Sequence, residues 1–204
     1  MERIKTGIKG FDELNEGGFP KGSTILICGM PGTGKTIFAL QYLFNGAAKF
    51  NEKCLYVSFE EEKRHLIEQA MQFGWDIEKL EKKGLFKMVN IDSKNIDNDT
   101  IQDICDVIMK NNITRVVIDS LSTLSINTPA VHTKISELGN FAVKRFLYSF
   151  ISSIRTLGVT SMLISQTSDE KSLSTDGISE FLCDGIIHIS FESMGGAYSR
   201  SLSV

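Results

Sequence analysis

The segment Gly29-Met30-Pro31-Gly32-Thr33-Gly34-Lys35-Thr36 fits the pattern G-x-x-x-x-G-K-[ST]; it follows the apolar run Thr24-Ile25-Leu26-Ile27-Cys28 and opens a helical pattern from Lys35 to about Phe50. Strand, Gly-rich loop and helix in that order form a cradle for polyphosphate. Glycines let backbone N–H groups wrap the anion, and the positive end of the helix faces it. In that frame Gly29, Met30, Pro31, Gly32, Thr33 and Gly34 shape the cradle, Lys35 reaches the β- and γ-phosphates, and the Thr36 hydroxyl is a ligand for Mg²⁺.

The alternation repeats along the chain. Strand Cys54–Phe59 precedes helix Lys63–Phe73, strand Phe86–Ile91 precedes helix Asp99–Lys110, and strand Arg115–Asp119 leads to a long helix ending near Thr156; strands Thr160–Ser165 and Ile186–Phe191 follow. Strands apolar on both faces and separated by helices predict an α/β fold, with a mostly parallel central sheet covered by helices on both faces. A chain of 204 residues supports one good core, so residues 1–204 are expected to form a single domain. The stretches Ser122–Thr133 and Thr167–Ser179 read as the longest irregular loops, at the strand ends where such sheets place ligands.

Phosphoryl chemistry needs an acid near the magnesium, and Arg115-Val116-Val117-Ile118-Asp119 is an apolar strand ending in one. Asp119 is therefore the second candidate metal ligand, the Walker B aspartate. In many related ATPases a water-activating glutamate follows that aspartate directly, but here the place holds Ser120. The acidic stretch after Val57-Ser58-Phe59 offers a substitute, because its strand delivers Glu60 and Glu61 to the same sheet edge, where a carboxylate can deprotonate a water. Glu62 reads as a residue of the helix start, favoured by the helix dipole.

A formal charge of -3 and a pI near 5.7 give no bulk attraction to nucleic acid or to an anionic membrane. Cys28, Cys54, Cys105 and Cys183 are scattered, without Cys-x-x-Cys spacing, and read as reduced core thiols. His65, His132 and His188 lack metal-ligand spacing, so no metal beyond nucleotide-bound Mg²⁺ is expected. The start Met1–Gly7 lacks the apolar core of a secretory signal, and no segment is long and apolar enough to span a bilayer, so a cytoplasmic protein is expected.

Several further motifs give the chain a family likeness. Thr6-Gly7-Ile8-Lys9-Gly10-Phe11-Asp12-Glu13-Leu14 with Gly17-Gly18-Phe19-Pro20-Lys21-Gly22, then Phe59-Glu60-Glu61 and Phe73-Gly74-Trp75-Asp76, resemble segments of KaiC-like ATPases in the RecA superfamily. The resemblance covers nearly all of the chain. It implies ATP as the nucleotide, a RecA-like P-loop fold, shared water activation by Glu60 and Glu61 with Glu60 the leading base, and a γ-phosphate sensor at Gln166. It also implies a hexameric ring with nucleotide between subunits; the leading reading, an ATP hydrolase whose turnover drives or times an association, adds a regulatory protein partner.

Two departures from the family pattern matter. Glu180-Phe181 stands where the clock protein's autophosphorylating domain has a Ser-Thr pair, which argues against clock-type autophosphorylation and leaves Ser172, Ser174 and Thr175 as loop hydroxyls. The segment Tyr198–Val204 resembles the lead into the family's Lys-x-Arg strand, and the chain stops before it, so slow hydrolysis is expected and Arg200 comes too early for that role. Three classes of function remain in view: a ring-forming ATP hydrolase, a nucleotide-gated assembly switch, and a recombinase-like DNA-binding protein. Against the last, the loop Thr167–Leu173 is neither basic nor aromatic, and Lys134, Lys144, Arg145 and Arg155 read as a solvated face. Trp75, Phe141, Phe146 and Phe150 read as core or subunit contact.

Overall fold

The central strands bury both faces, and the side chains alternate between two separate cores. The computed structural model describes the chain except for residues 128–135, 168–171 and 195–196. His132, Lys134, most of the expected 167–173 loop and the second half of the 122–133 loop thus lie outside the described residues. In chain order the elements are β1 (Arg3–Ile4), α1 (Phe11–Leu14), β2 (Phe19–Pro20), β3 (Thr24–Gly29), α2 (Lys35–Phe50), β4 (Cys54–Ser58), α3 (Lys63–Gln72), α4 (Ile77–Lys82) and β5 (Phe86–Asn90). Then come α5 (Asn98–Asn111), β6 (Arg115–Asp119), α6 (Leu121–Asn127), α7 (Ser136–Thr156), β7 (Thr160–Gln166), α8 (Ser179–Leu182), β8 (Gly185–Met194) and β9 (Ala197–Ser203).

Seven strands form one sheet in the order β5-β4-β6-β7-β3-β8-β9, parallel throughout except for the antiparallel pair β8–β9. Ile25, Ile27, Tyr56, Val117 and Met162 point into a core shared with α2, α3 and α4, while Leu26, Leu55, Val116, Ile118 and Leu163 face the core of α5, α6 and α7. The fold is the α/β arrangement expected, with a helix layer on each face. Its connections matter for the site, because β4, β6, β7 and β3 are consecutive neighbours and all end at the same edge.

Some elements differ from the sequence reading. The segment after Asp119 is helical from Leu121 to Asn127 rather than irregular, because Leu121 and Leu124 are buried and Ser120 starts the helix, its Oγ accepting from the Thr123 N–H at 3.2 Å. Ser/Thr-rich composition and shortness hid its period. The terminal residues form β9, which lies against β8 with Ser190 opposite Ser201 and Phe191 opposite Arg200. Cys28, Cys54 and Cys105 are buried and Cys183 is partly so, all four as free thiols.

Arg115, at the start of β6, is a buried charge in what reads as an apolar strand. Its side chain is 1% exposed. It pairs with Glu52, donates to the Lys5 carbonyl at 2.9 Å, and lies 4.9 Å from the centroid of the Tyr42 ring and 5.4 Å from that of Phe50. Gly46 makes the room, since a Cβ there would sit 2.8 Å from the Arg115 Cδ. One guanidinium thereby ties β6, α2, the approach to β4 and the N-terminal leader together at the end of the sheet opposite the phosphate loop. Gly46→Ala is expected to destabilise the fold by roughly 1–3 kcal/mol through this overpacking, despite alanine's better helix propensity. Urea unfolding checks it; an unchanged or raised midpoint would show that Arg115 moves aside freely.

Candidate functional site

The ends of β4, β6, β7 and β3 open on a cleft of about 770 Å³ lined by the phosphate loop, Glu60, Glu61, Asp119 and Gln166. Pro31 to Thr36, Glu60, Glu61, Asp119 and Gln166 all line this cleft, whereas Gly29 and Met30 lie behind it at the start of the loop. The loop is built on a close approach: Gly29 has φ 149°, and a Cβ there would lie 2.1 Å from the Ile189 carbonyl oxygen of β8. Thr33 closes the turn by donating from Oγ1 to the Met30 carbonyl at 2.9 Å. The loop then enters α2, whose first N–H groups have no partner within the helix. Lys35 Nζ donates to the carbonyls of Gly29 and Met30, both at 2.9 Å. Burial lowers its pKa from the usual 10.5, against the opposing pull of Asp119 and Glu60.

Thr36 and Asp119 are far apart in the chain and adjacent in space. Thr36 Oγ1 donates to Asp119 Oδ2 at 3.0 Å, and the Tyr56 hydroxyl of β4 donates to the same oxygen. A hydroxyl and a carboxylate so placed are hard oxygen donors, the set that Mg²⁺ takes. Tyr56 was not anticipated; its place in an alternating apolar strand gave no sign that its hydroxyl meets the acid.

Glu60 and Glu61 diverge. Glu60 turns toward the ends of β6 and β7, where its carboxylate accepts from the hydroxyls of Ser120 and Thr123, and from Gln166 Nε2 at 2.9 Å on Oε2. Glu61 turns toward α3: its Oε2 accepts from Gln69 Nε2 at 2.7 Å, and its backbone carbonyl accepts from Ser58 Oγ and Asn90 Nδ2, each at 2.7 Å. Ser120 thus occupies the place of the usual glutamate and hydrogen-bonds the carboxylate that arrives from β4 instead. Arg200 of β9 also reaches the loop, donating from a guanidinium nitrogen to the Gly32 carbonyl at 3.2 Å. Ser174 and Glu180 are bonded to each other, and Arg155 to Asp184. Lys144 and Arg145 are exposed on α7.

The family described as "ATPase: KaiC" matches residues 4–204. A UPF0273 protein of Pyrococcus horikoshii is 37% identical over 219 residues, covering 99% of this chain and 83% of its own. The circadian clock oscillator protein KaiC of Thermostichus vulcanus is 32% identical over 197 residues, covering 92% of this chain and 36% of that longer protein. The crystal structure of a KaiC-like protein from Pyrococcus horikoshii superposes with a TM-score of 0.85 at 33% identity, covering 98% of this chain and 86% of the other.

Burial raises the Asp119 carboxyl from 3.8 to about 6; the Tyr56 and Thr36 hydrogen bonds oppose the rise and the Glu60 charge adds to it. The folded value lies above the unfolded one, so the folded chain holds the extra proton between the two, and stability falls as pH rises through that window. Above it the charge costs at most roughly 3 kcal/mol, and below the unfolded value the cost is gone. Asp119→Asn keeps an oxygen for both hydroxyl donors. In protein free of metal and nucleotide it is expected to raise the thermal midpoint by roughly 5–10 °C at pH 8 and to change nothing near pH 4. Circular dichroism melts across that range decide it, and a lower midpoint at pH 8 would contradict it.

Proposed function

This chain belongs to the KaiC ATPase family, and from that premise we propose that it binds ATP with Mg²⁺ at the phosphate loop and hydrolyses it slowly, as a ring-forming regulatory ATPase built from one domain. The observation that carries the reading is the convergence of Thr36–Asp119 and Glu60–Gln166 on the cleft beside Lys35.

The polyphosphate lies along the loop N–H groups from Gly29 to Thr36, and Lys35 exchanges its loop carbonyls for phosphate oxygens. Thr36 and Asp119 would hold Mg²⁺, which would supply neutralisation of phosphate charge there. Glu60 takes a proton from a water as the water oxygen bonds to the γ-phosphorus and the bond to the β–γ bridging oxygen breaks, releasing ADP and phosphate. Gln166, bonded to Glu60, couples that carboxylate to the γ-phosphate. Glu61 braces the turn through Gln69. Ser120 and Thr123 donate to Oε1 of Glu60 and Gln166 donates to Oε2, so the attacking water takes the acceptor position that remains on Oε2.

Homo-oligomerisation into a hexameric ring is part of the same proposal. Phe141, Tyr148 and Phe181 are 68%, 60% and 80% exposed, aromatic surface that a ring contact would cover. Phe150 is core and Phe146 is half-buried, so only the outer part of the expected stripe on α7 is available for association. No helix among the described residues is long and apolar enough to cross a membrane. The reading favours a cytoplasmic protein that acts with a regulatory protein partner and not with nucleic acid.

Steady-state phosphate release from Mg·ATP tests the reading. Glu60→Gln is expected to lower kcat by roughly 100-fold or more while leaving ATP bound, with a smaller loss for Glu61→Gln. A specific rate that climbs with protein concentration would place the site between subunits. Tight ATP binding with no release above a Lys35→Ala control would discard hydrolysis and leave a nucleotide-gated switch.

A further inference from the structure

The end of β7 that carries Gln166 runs past the neighbour that should hold it. β6 pairs with β7 from Arg115 opposite Thr160 to Ile118 opposite Leu163 and no further. Successive N–H groups of an inner strand alternate between its two flanking strands. Thr160 donates to the Thr114 carbonyl on the β6 side at 3.0 Å, and Thr167 donates to the Gly29 carbonyl on the β3 side at 3.1 Å. The Gln166 N–H therefore points to the β6 side, and the spacing of the ladder would bring it to the Ser120 carbonyl. That carbonyl is taken: it accepts from the Leu124 N–H at 3.1 Å, because the chain has already turned into α6.

Ser122 fills the gap. Its Oγ accepts from the Gln166 N–H at 2.8 Å, so a side chain completes the ladder where the neighbouring strand has ended. Ser122 is buried, and the hydroxyls of Thr175 and Ser165 stand 3.4 and 3.5 Å from the same oxygen, at the outer limit of hydrogen bonding. The Gln166 amide in turn reaches Glu60, with Nε2 2.9 Å from Oε2 and 3.2 Å from Oε1. A slip of the Gln166 main chain would carry that amide off the carboxylate.

We propose that Ser122 is a positioning residue for hydrolysis: by holding the Gln166 main chain in register, it keeps the Gln166 amide on Glu60. Ser122 itself is not part of the cleft wall, so it acts through Gln166. The role rests on the reading above, in which Glu60 takes the proton from the attacking water.

A double-mutant cycle on phosphate release from Mg·ATP separates positioning from a merely structural role. Ser122→Ala is expected to lower kcat roughly tenfold while KM for ATP changes less than about twofold. In a Gln166→Ala background the same substitution is expected to cost nothing further. An equal loss in both backgrounds, or no loss in either, would overturn the positioning role. Ser122→Cys, close in size with a weaker acceptor, is expected to fall between serine and alanine, and it carries the comparison if the alanine variant does not fold. Residue-resolved amide exchange gives a readout independent of activity. The Gln166 N–H is expected to exchange roughly tenfold faster in the variant, while Thr167, bonded to Gly29, keeps its protection. Unchanged exchange at Gln166 would overturn the role as well. Full activity in Glu60→Gln would instead overturn the water-activation reading, and the role of Ser122 with it.

Discussion

A carboxylate buried at the end of a parallel strand must be held by donors or lose its charge, and the architecture around Asp119 follows from that constraint. The neighbouring strand supplies Tyr56, the helix after the phosphate loop supplies Thr36, and both hydroxyls meet one carboxylate oxygen. Two hydroxyl donors do not fully replace water, and the pKa rises to about 6. The residual cost resembles stored potential for a cation: a divalent ion beside Thr36 would offset the burial that the fold alone leaves uncompensated. A parallel sheet is what makes such an arrangement possible, since β4, β6, β7 and β3 all deliver their last residues to the same side.

The same edge resolves how two adjacent glutamates differ. Leaving β4 as neighbours, they are captured by different layers of the fold, Glu60 by the β6 and β7 ends and Glu61 by α3. Ser120 links this division to the helix behind it, because one hydroxyl both starts α6 and donates to Glu60. At the opposite end of the sheet, Arg115 fastens the strand that carries Asp119 to α2, which carries Lys35 and Thr36. The relative placement of the acid and the phosphate loop thus depends on packing at both ends of one strand.

Much of this was legible in the sequence, for identifiable reasons. The loop motif, the acid ending β6 and the glutamates after β4 all sit at switches from apolar strand to polar turn, where periodicity is most informative. Less legible were residues whose partners come from distant segments. Tyr56 lies inside an apolar run and Arg115 opens one, and nothing local marks the first as a donor to Asp119 or the second as a paired buried charge. α6 was missed because seven residues rich in serine and threonine carry too little period. The turn at Phe73 was recognisable as a family likeness, whereas the bond from Gln166 to Ser122 needed coordinates to become visible.

The central claim is that one sheet edge positions magnesium, γ-phosphate and an attacking water together. A crystal structure with Mg²⁺ and a non-hydrolysable ATP analogue tests it most directly. The account predicts the metal held by Thr36 and Asp119. It also predicts Lys35 Nζ moved from the Gly29 and Met30 carbonyls onto the phosphates, and a water between Glu60 and the γ-phosphorus. A metal held away from Thr36 and Asp119, or a γ-phosphate whose in-line water contacts Glu61 and not Glu60, would contradict it.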